Sequence, residues 1–183
     1  MLAGPALWYF NRGTGVVLLV LYTLVVVLGS VVTARRPGVR RVPQFAMQGL
    51  HRTLAGLAAG LLLVHIATAV FDTFVDIRWW DVVVPFGGLY RPPYLAAGAV
   101  AFDLMLAVGL TSLAKRRLSD RAWRSVHLLA YPSWAASVLH TVGIGTDMST
   151  PWLRGLVLGC VGAVALGVLT RVIRVRGVVP GRS

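Results

Sequence analysis

The chain has 183 residues, of which 57% are hydrophobic and only 13% charged. Its formal net charge of +12 would point to nucleic acid in a soluble protein. Here the basic residues flank long apolar runs and read as topology signals, which excludes nucleic acid as a partner and indicates a membrane protein.

Crossing a hydrocarbon core of ~30 Å takes about 20 apolar residues in a helix. The first such stretch is 14–34. Its apolar run, Val16 to Val32, is too long for the core of a cleavable signal peptide, and Thr33-Ala34-Arg35-Arg36 offers no cleavage site. Arg35, Arg36, Arg40 and Arg41 follow, and the second span, 51–71, then carries His51, Arg52 and His65. The connector 72–93, DTFVDIRWWDVVVPFGGLYRPP, places Trp79, Trp80 and Tyr90 where rings with one wet edge suit a membrane interface. It reads as an interfacial loop. The alternative is that Val82 to Phe86 dip into the interface or cover the outer end of the bundle. The third span, 94–114, contains Asp103, a lone carboxylate near mid-span that must be neutral or paired. A basic connector with Lys115, Arg116, Arg117 and Arg121 leads to the fourth span, 123–145, which holds Arg124, His127, Pro132 and His140. The fifth, 152–173, contains the single cysteine, Cys160, which has no disulfide partner in the chain and is expected to be a small packing residue. Arg171, Arg174, Arg176 and Arg182 close the sequence. No internal repeat is evident.

Most of the 18 basic residues thus fall in alternate connectors, while the acids Asp72, Asp76, Asp81 and Asp147 lie on the other side. The positive-inside rule places the N-terminus outside and the C-terminus in the cytoplasm. The expected fold is an all-α integral membrane protein, a single domain over 1–183 with a bundle of about five transmembrane helices, in the cell's inner or plasma membrane.

All four histidines sit on two of the five spans. Intramembrane ionisable groups are costly and functional by default. The second and fourth spans run in the same direction, so His51 pairs with His127 near the cytoplasmic end and His65 with His140 toward the outer end. The spacing within each span corresponds to about 20 Å of helix rise. His51 and His65 share a helix face, whereas His127 and His140 do so only if Pro132 bends or rewinds the helix between them. Neutral imidazole is an axial ligand for haem iron, and two imidazoles leave no open position for dioxygen. Two such centres would let an electron cross the bilayer. Arg52 and Arg124 flank the inner pair and are candidate propionate contacts, or topology arginines; Arg78 or Arg91 would serve outside. Asp103 is a candidate second partner for a ligand histidine. Gly56 and Gly60 would admit a flat macrocycle or a neighbouring helix. Phe102, Tyr131 and Trp134 are placed to lie between the centres, or simply to pack.

Paired histidines at this spacing resemble the ferric reductase-like transmembrane domain shared by NADPH oxidases and metalloreductases. WYFNRGTGVVLLVLYTLVVVLG, LHRTLAGLAAGLLLVH, WRSVHLLAYPSWAASVLH and VVPFGGLYRPPY are similar to its small bacterial members. The resemblance spans nearly the whole chain, and the histidine pattern is its specific part. It implies two haems b and electron flow from the cytoplasmic side outward. Larger members carry a flavin and nicotinamide domain after the last span, and their core often has six spans. Here few residues follow the fifth span, and no Gly-rich dinucleotide fingerprint occurs. The expected function is a di-haem electron carrier with no catalytic residue of its own. It would work between a separate donor, a flavoprotein or quinol, and an extracytoplasmic acceptor. The alternatives are a self-sufficient metal reductase with its substrate site in 72–93, a haem subunit of a methionine sulfoxide reductase-like system, or a non-catalytic scaffold.

Overall fold

The computed structural model describes residues 3–33, 44–72 and 75–176. Among these, every regular element is helical: α1 (Ala3–Thr33), α2 (Gln44–Phe71), α3 (Pro92–Leu113), α4 (Asp120–His127), α5 (Ala130–Ile144) and α6 (Pro151–Arg176), with short 3-10 turns in the connectors. The topology residues Arg35, Arg36, Arg40, Arg41 and Arg182 lie outside the described residues.

Helix α1 starts well before the predicted span. The segment WYFNR is too polar for an apolar window, but after Pro5, tolerated in a first turn, it contains nothing that breaks a helix. Asn11 and Arg12 are therefore helical. Helix α3 opens on Pro92-Pro93, where missing amide protons cost nothing. Helix α4 is capped by Ser119, whose hydroxyl accepts from the Ala122 amide at 3.2 Å.

The predicted fourth span is two helices with a turn at Leu128–Leu129. Pro132 has no amide proton to give the Leu128 carbonyl, so Tyr131 donates to it instead at 3.1 Å, and Leu129 donates to Val126 at 2.9 Å. One tightened turn thus re-aims α5 relative to α4. The change of direction that the histidine spacing requires is built at this point.

Four helices, α1, α2, α3 and α6, are long and apolar enough to cross a membrane. Large apolar side chains such as Leu63, Leu110, Leu158 and Leu166 are more than half exposed on their surfaces. In water that would be an aggregation surface; in lipid it costs nothing. The chain is a multi-pass membrane protein. Leu19, Tyr22 and Val26 of α1 form the core with Trp134 of α5 and Val157, Cys160 and Val164 of α6. Cys160 is a buried free thiol in that core, as expected. Two polar groups in and beside this core are satisfied within the protein. The Trp134 indole donates to Thr23 Oγ1 at 3.0 Å, and Ser133 Oγ donates to the Ala101 carbonyl at 2.7 Å. Trp134 is therefore packing.

The connector after α2 is more organised than a bare interfacial loop. Asp81, 2% exposed, accepts from the Arg78 backbone amide, Nε and a terminal guanidinium nitrogen at 3.0–3.1 Å, and the same guanidinium donates to the Gly87 carbonyl. A Cβ on Gly88 would lie 2.3 Å from Leu95 Cδ2, so the loop packs closely onto the start of α3 here. Trp79, Phe86 and Leu89 remain exposed around this knot. The Arg78 guanidinium holds the Asp81 carboxyl below the usual carboxylate range. With the folded pKa depressed, the pair's stabilisation is full above the ordinary carboxylate pKa and is lost as pH falls through the depressed value. The loop should thus loosen only in acid. Asp81→Asn should raise amide exchange across 78–88 roughly tenfold at neutral pH, the cost of a charge-assisted hydrogen bond, and abolish the acid dependence. Exchange mass spectrometry across a pH series measures both.

Candidate functional site

The fold brings the histidines together in twos. His51 of α2 and His127 of α4 have ring centres 6.3 Å apart at an interplanar angle of 62°. His65 of α2 and His140 of α5 line one cavity of about 250 Å³, with Phe102 and Met105 of α3 and Asp81, Val82 and Tyr90 of the loop. The loop therefore covers the end of the bundle that holds His65 and His140. Among the described residues no three His, Cys, Asp or Glu side chains gather. A protein-held zinc ion takes three or four ligands, whereas haem brings its own equatorial nitrogens and needs only two.

Each imidazole is held from behind. His51 Nδ1 lies 3.1 Å from the Val25 carbonyl of α1, His65 Nδ1 lies 3.1 Å from the Asn11 carbonyl of α1, and His140 Nδ1 lies 2.9 Å from the Tyr94 carbonyl of α3. A carbonyl only accepts, so in these three rings Nδ1 carries the proton. His65 shares that proton with Thr14 Oγ1 at 3.2 Å, since the Thr14 hydroxyl is itself donated to the Asn11 carbonyl. His127 Nδ1 instead faces Ser112 Oγ at 3.4 Å. Protonation at Nδ1 leaves Nε2 with a free lone pair, the tautomer a metal requires.

Helical carbonyls already accept an amide proton from four residues on. A second donor must approach past the side chain at that position. Following Asn11, Val25 and Tyr94 by four are Gly15, Gly29 and Gly98. A Cβ on Gly98 would lie 2.5 Å from His140 Nδ1, one on Gly15 3.1 Å from His65 Cε1, and one on Gly29 3.4 Å from His51 Cε1. These three glycines let α2 and α5 press their imidazoles onto the backbones of α1 and α3. Gly56 and Gly60, expected to matter because they lie between the α2 histidines, have open space at the Cβ position.

The other predicted residues distribute as follows. Arg52 and Arg124 are exposed, and Arg124 Nε turns back to the Asp120 carbonyl of its own helix. Basic side chains at the His51/His127 end of the bundle include Lys115, 4.1 Å from the centre of the Trp123 ring, and Arg171, which donates to Tyr131 OH at 2.9 Å. Tyr131 in turn lies 2.9 Å from Ser30 Oγ, tying α6, α5 and α1 together at that end. Arg78 is committed to Asp81, and Arg91 to the Gly143 carbonyl. Arg12, also on the cavity wall, is paired with Asp147. Asp103 is half-buried on α3, and all four Nδ1 atoms face other groups.

Trp123, like the glycines and carbonyls behind the imidazoles, carried no mark in the sequence analysis. The Trp123 ring stacks on His127, centres 4.7 Å apart and 24° from parallel, and its Nε1 is buried without a hydrogen-bond partner among the described residues. Its position one helical turn before His127 was the available signal.

A family model described as a domain of unknown function (DUF8596) matches residues 6–147, a stretch that includes all four histidines. The chain is similar to the protein-methionine-sulfoxide reductase heme-binding subunit MsrQ of Azospira oryzae, with 33% identity over 110 residues, 58% of this chain and 46% of the relative. It is also similar to the subunit of the same name from Rhodospirillum rubrum, with 30% identity over 122 residues, 63% of this chain and 55% of the relative. The chain spans about half the length of these curated relatives. No solved structure matches it.

Proposed function

This chain belongs to the DUF8596 family, and from that premise we propose that it is a haem-binding membrane subunit that carries electrons through the bilayer for a separate reductase. The reading rests on one observation above the rest: the histidines meet in twos, with Nδ1 turned to an acceptor and Nε2 left free. The ring centres of His51 and His127, 6.3 Å apart, are close enough for the two imidazoles to share one metal ion. The buried Trp123 N–H beside that pair has no acceptor among the described residues, and a haem propionate is one that would suit it.

A haem between two imidazoles supplies a one-electron centre with no open coordination position. The chain's own residues do the rest. The histidine Nε2 atoms would hold the iron, and the carbonyls of Asn11, Val25 and Tyr94 fix ring orientation. Lys115 and Arg171 place positive charge at the inner end, and the knotted loop shields the outer cavity from water. With the N-terminus outside, as the distribution of basic residues expects, the His51/His127 end would face the donor and the His65/His140 end the acceptor.

The two relatives named as haem-binding subunits of a protein-methionine-sulfoxide reductase favour one assignment among those considered. The acceptor is then a partner that reduces oxidised methionine outside the cytoplasm, and the donor is a flavoprotein or quinol. Expression with haem supplementation, purification in detergent and quantitation of the pyridine adduct tests the core of this reading. About two haems b per chain are expected. A colourless protein would refute the reading.

A further inference from the structure

We propose that Ser112 is a positioning residue that makes the inner haem centre easier to reduce, by giving His127 a hydroxyl acceptor where the other three histidines have a backbone carbonyl. The inference rests on the haem-ligand reading above and deepens it.

Helices α1 and α3 present the same device twice each. On α1 the carbonyls of Asn11 and Val25 are followed at four residues by Gly15 and Gly29. On α3 the outer member is the Tyr94 carbonyl with Gly98. The matching inner member, at the same interval along the helix as on α1, is the Val108 carbonyl with Ser112. Here the side chain is present. Ser112 Oγ donates to the Val108 carbonyl at 2.6 Å and stands between it and His127, whose Nδ1 is 3.4 Å from the hydroxyl. Since the hydroxyl proton is spent on Val108, the oxygen can only accept from the imidazole. That contact is longer than the 2.9–3.1 Å seen at the three carbonyls and beyond the usual N–H···O range of about 2.7–3.2 Å.

A strong Nδ1–H acceptor makes the imidazole a more basic ligand, and a more basic ligand favours the ferric state. His127 has the weakest acceptor of the four, so its centre gives up less when reduced. The consequence is a centre that loads readily from a donor on that side. Trp123 and Lys115 also bear on His127, but both stay unchanged when Ser112 is varied.

Potentiometric titration of the full-length haem-loaded protein, followed optically, tests this. A His65→Leu chain that retains the inner centre assigns the inner wave. Ser112→Gly opens the Val108 carbonyl to His127, because the neighbouring Thr111 hydroxyl lies nearer the Ala107 carbonyl (2.7 Å) than that of Val108 (3.2 Å). The inner midpoint should fall. Ser112→Ala leaves Nδ1–H without an acceptor, and the inner midpoint should rise. Ser112→Thr keeps the hydroxyl and should titrate like the parent, while the outer wave stays fixed in all three. Opposite shifts confined to the inner wave support the assignment. With both haems bound, an unmoved inner wave in the Gly and Ala variants, shifts of the same sign, or an equal shift of the outer wave overturns it. If Ser112→Gly fails to hold the inner haem, the sign of the Ala shift and its rescue by Thr decide alone. Absence of haem from the parent protein would instead refute the ligand reading itself.

Discussion

Replacing His65 or His140 with leucine should halve the haem content, from about two per chain to about one, and the surviving spectrum should be the same for both variants. His51→Leu and His127→Leu should likewise agree with each other and leave the complementary spectrum. The expectation comes from the pairing: His51 and His127 face one another, and His65 and His140 share a cavity. Losing one axial ligand leaves the other imidazole half-buried with nothing opposite it. Leucine fills volume comparable to the ring without offering a ligand. Haem quantitation with reduced-minus-oxidised spectra reads the outcome. Four variants that all keep two haems would remove the histidines from the ligand set. A different grouping, such as His51 with His65, would show that the bundle pairs them otherwise.

Gly98→Ala should be nearly as damaging as loss of His140. The added carbon would lie 2.5 Å from His140 Nδ1 and 2.7 Å from Cε1, too close for any real contact. Helix α5 must back away from α3, giving up the hydrogen bond to the Tyr94 carbonyl. Overpacking of this kind costs about 1–3 kcal/mol, and a lost buried hydrogen bond about 1 kcal/mol more. The same change at Gly15 meets His65 at 3.1 Å and at Gly29 meets His51 at 3.4 Å, so the loss should decline in that order. Gly56→Ala and Gly60→Ala, with open space around them, should retain both haems and melt within about 0.5 kcal/mol of the parent or slightly higher. Thermal melts together with haem retention give the series. Equal tolerance at Gly98 and Gly56 would mean that the imidazoles do not rest on the neighbouring backbone.

The two predictions differ in how visible they were beforehand. Four histidines on two apolar stretches, at near-equal spacing, are a pattern in residue type and position, and the spans follow from run length against bilayer thickness. Both can be read without coordinates. The interruption of the fourth span could be anticipated from Pro132, since a missing amide proton acts locally. Its location at Leu128–Leu129 follows from which carbonyl that proline leaves unserved. The start of α1 was missed because hydropathy measures the cost of entering lipid, whereas a helix needs only the absence of breakers. That error hid the Asn11 carbonyl.

What the sequence by itself determined is the class of molecule and the candidate ligands: a helical membrane bundle and the set His51, His65, His127 and His140. What only the tertiary structure decided is how those rings are held. Every residue has a carbonyl, so the acceptors at Asn11, Val25 and Tyr94 carry no mark of residue type. They become specific only when a second helix is laid against the first and a glycine lets it come close. The same holds for the arginines. Arg52 and Arg124 were near the inner pair in sequence, yet both are exposed, and the bundle brings in Lys115 from the connector before α4 and Arg171 from α6. Distance along a chain constrains which side of the membrane a group occupies, but rotation about each helix axis, set by packing, chooses what it touches.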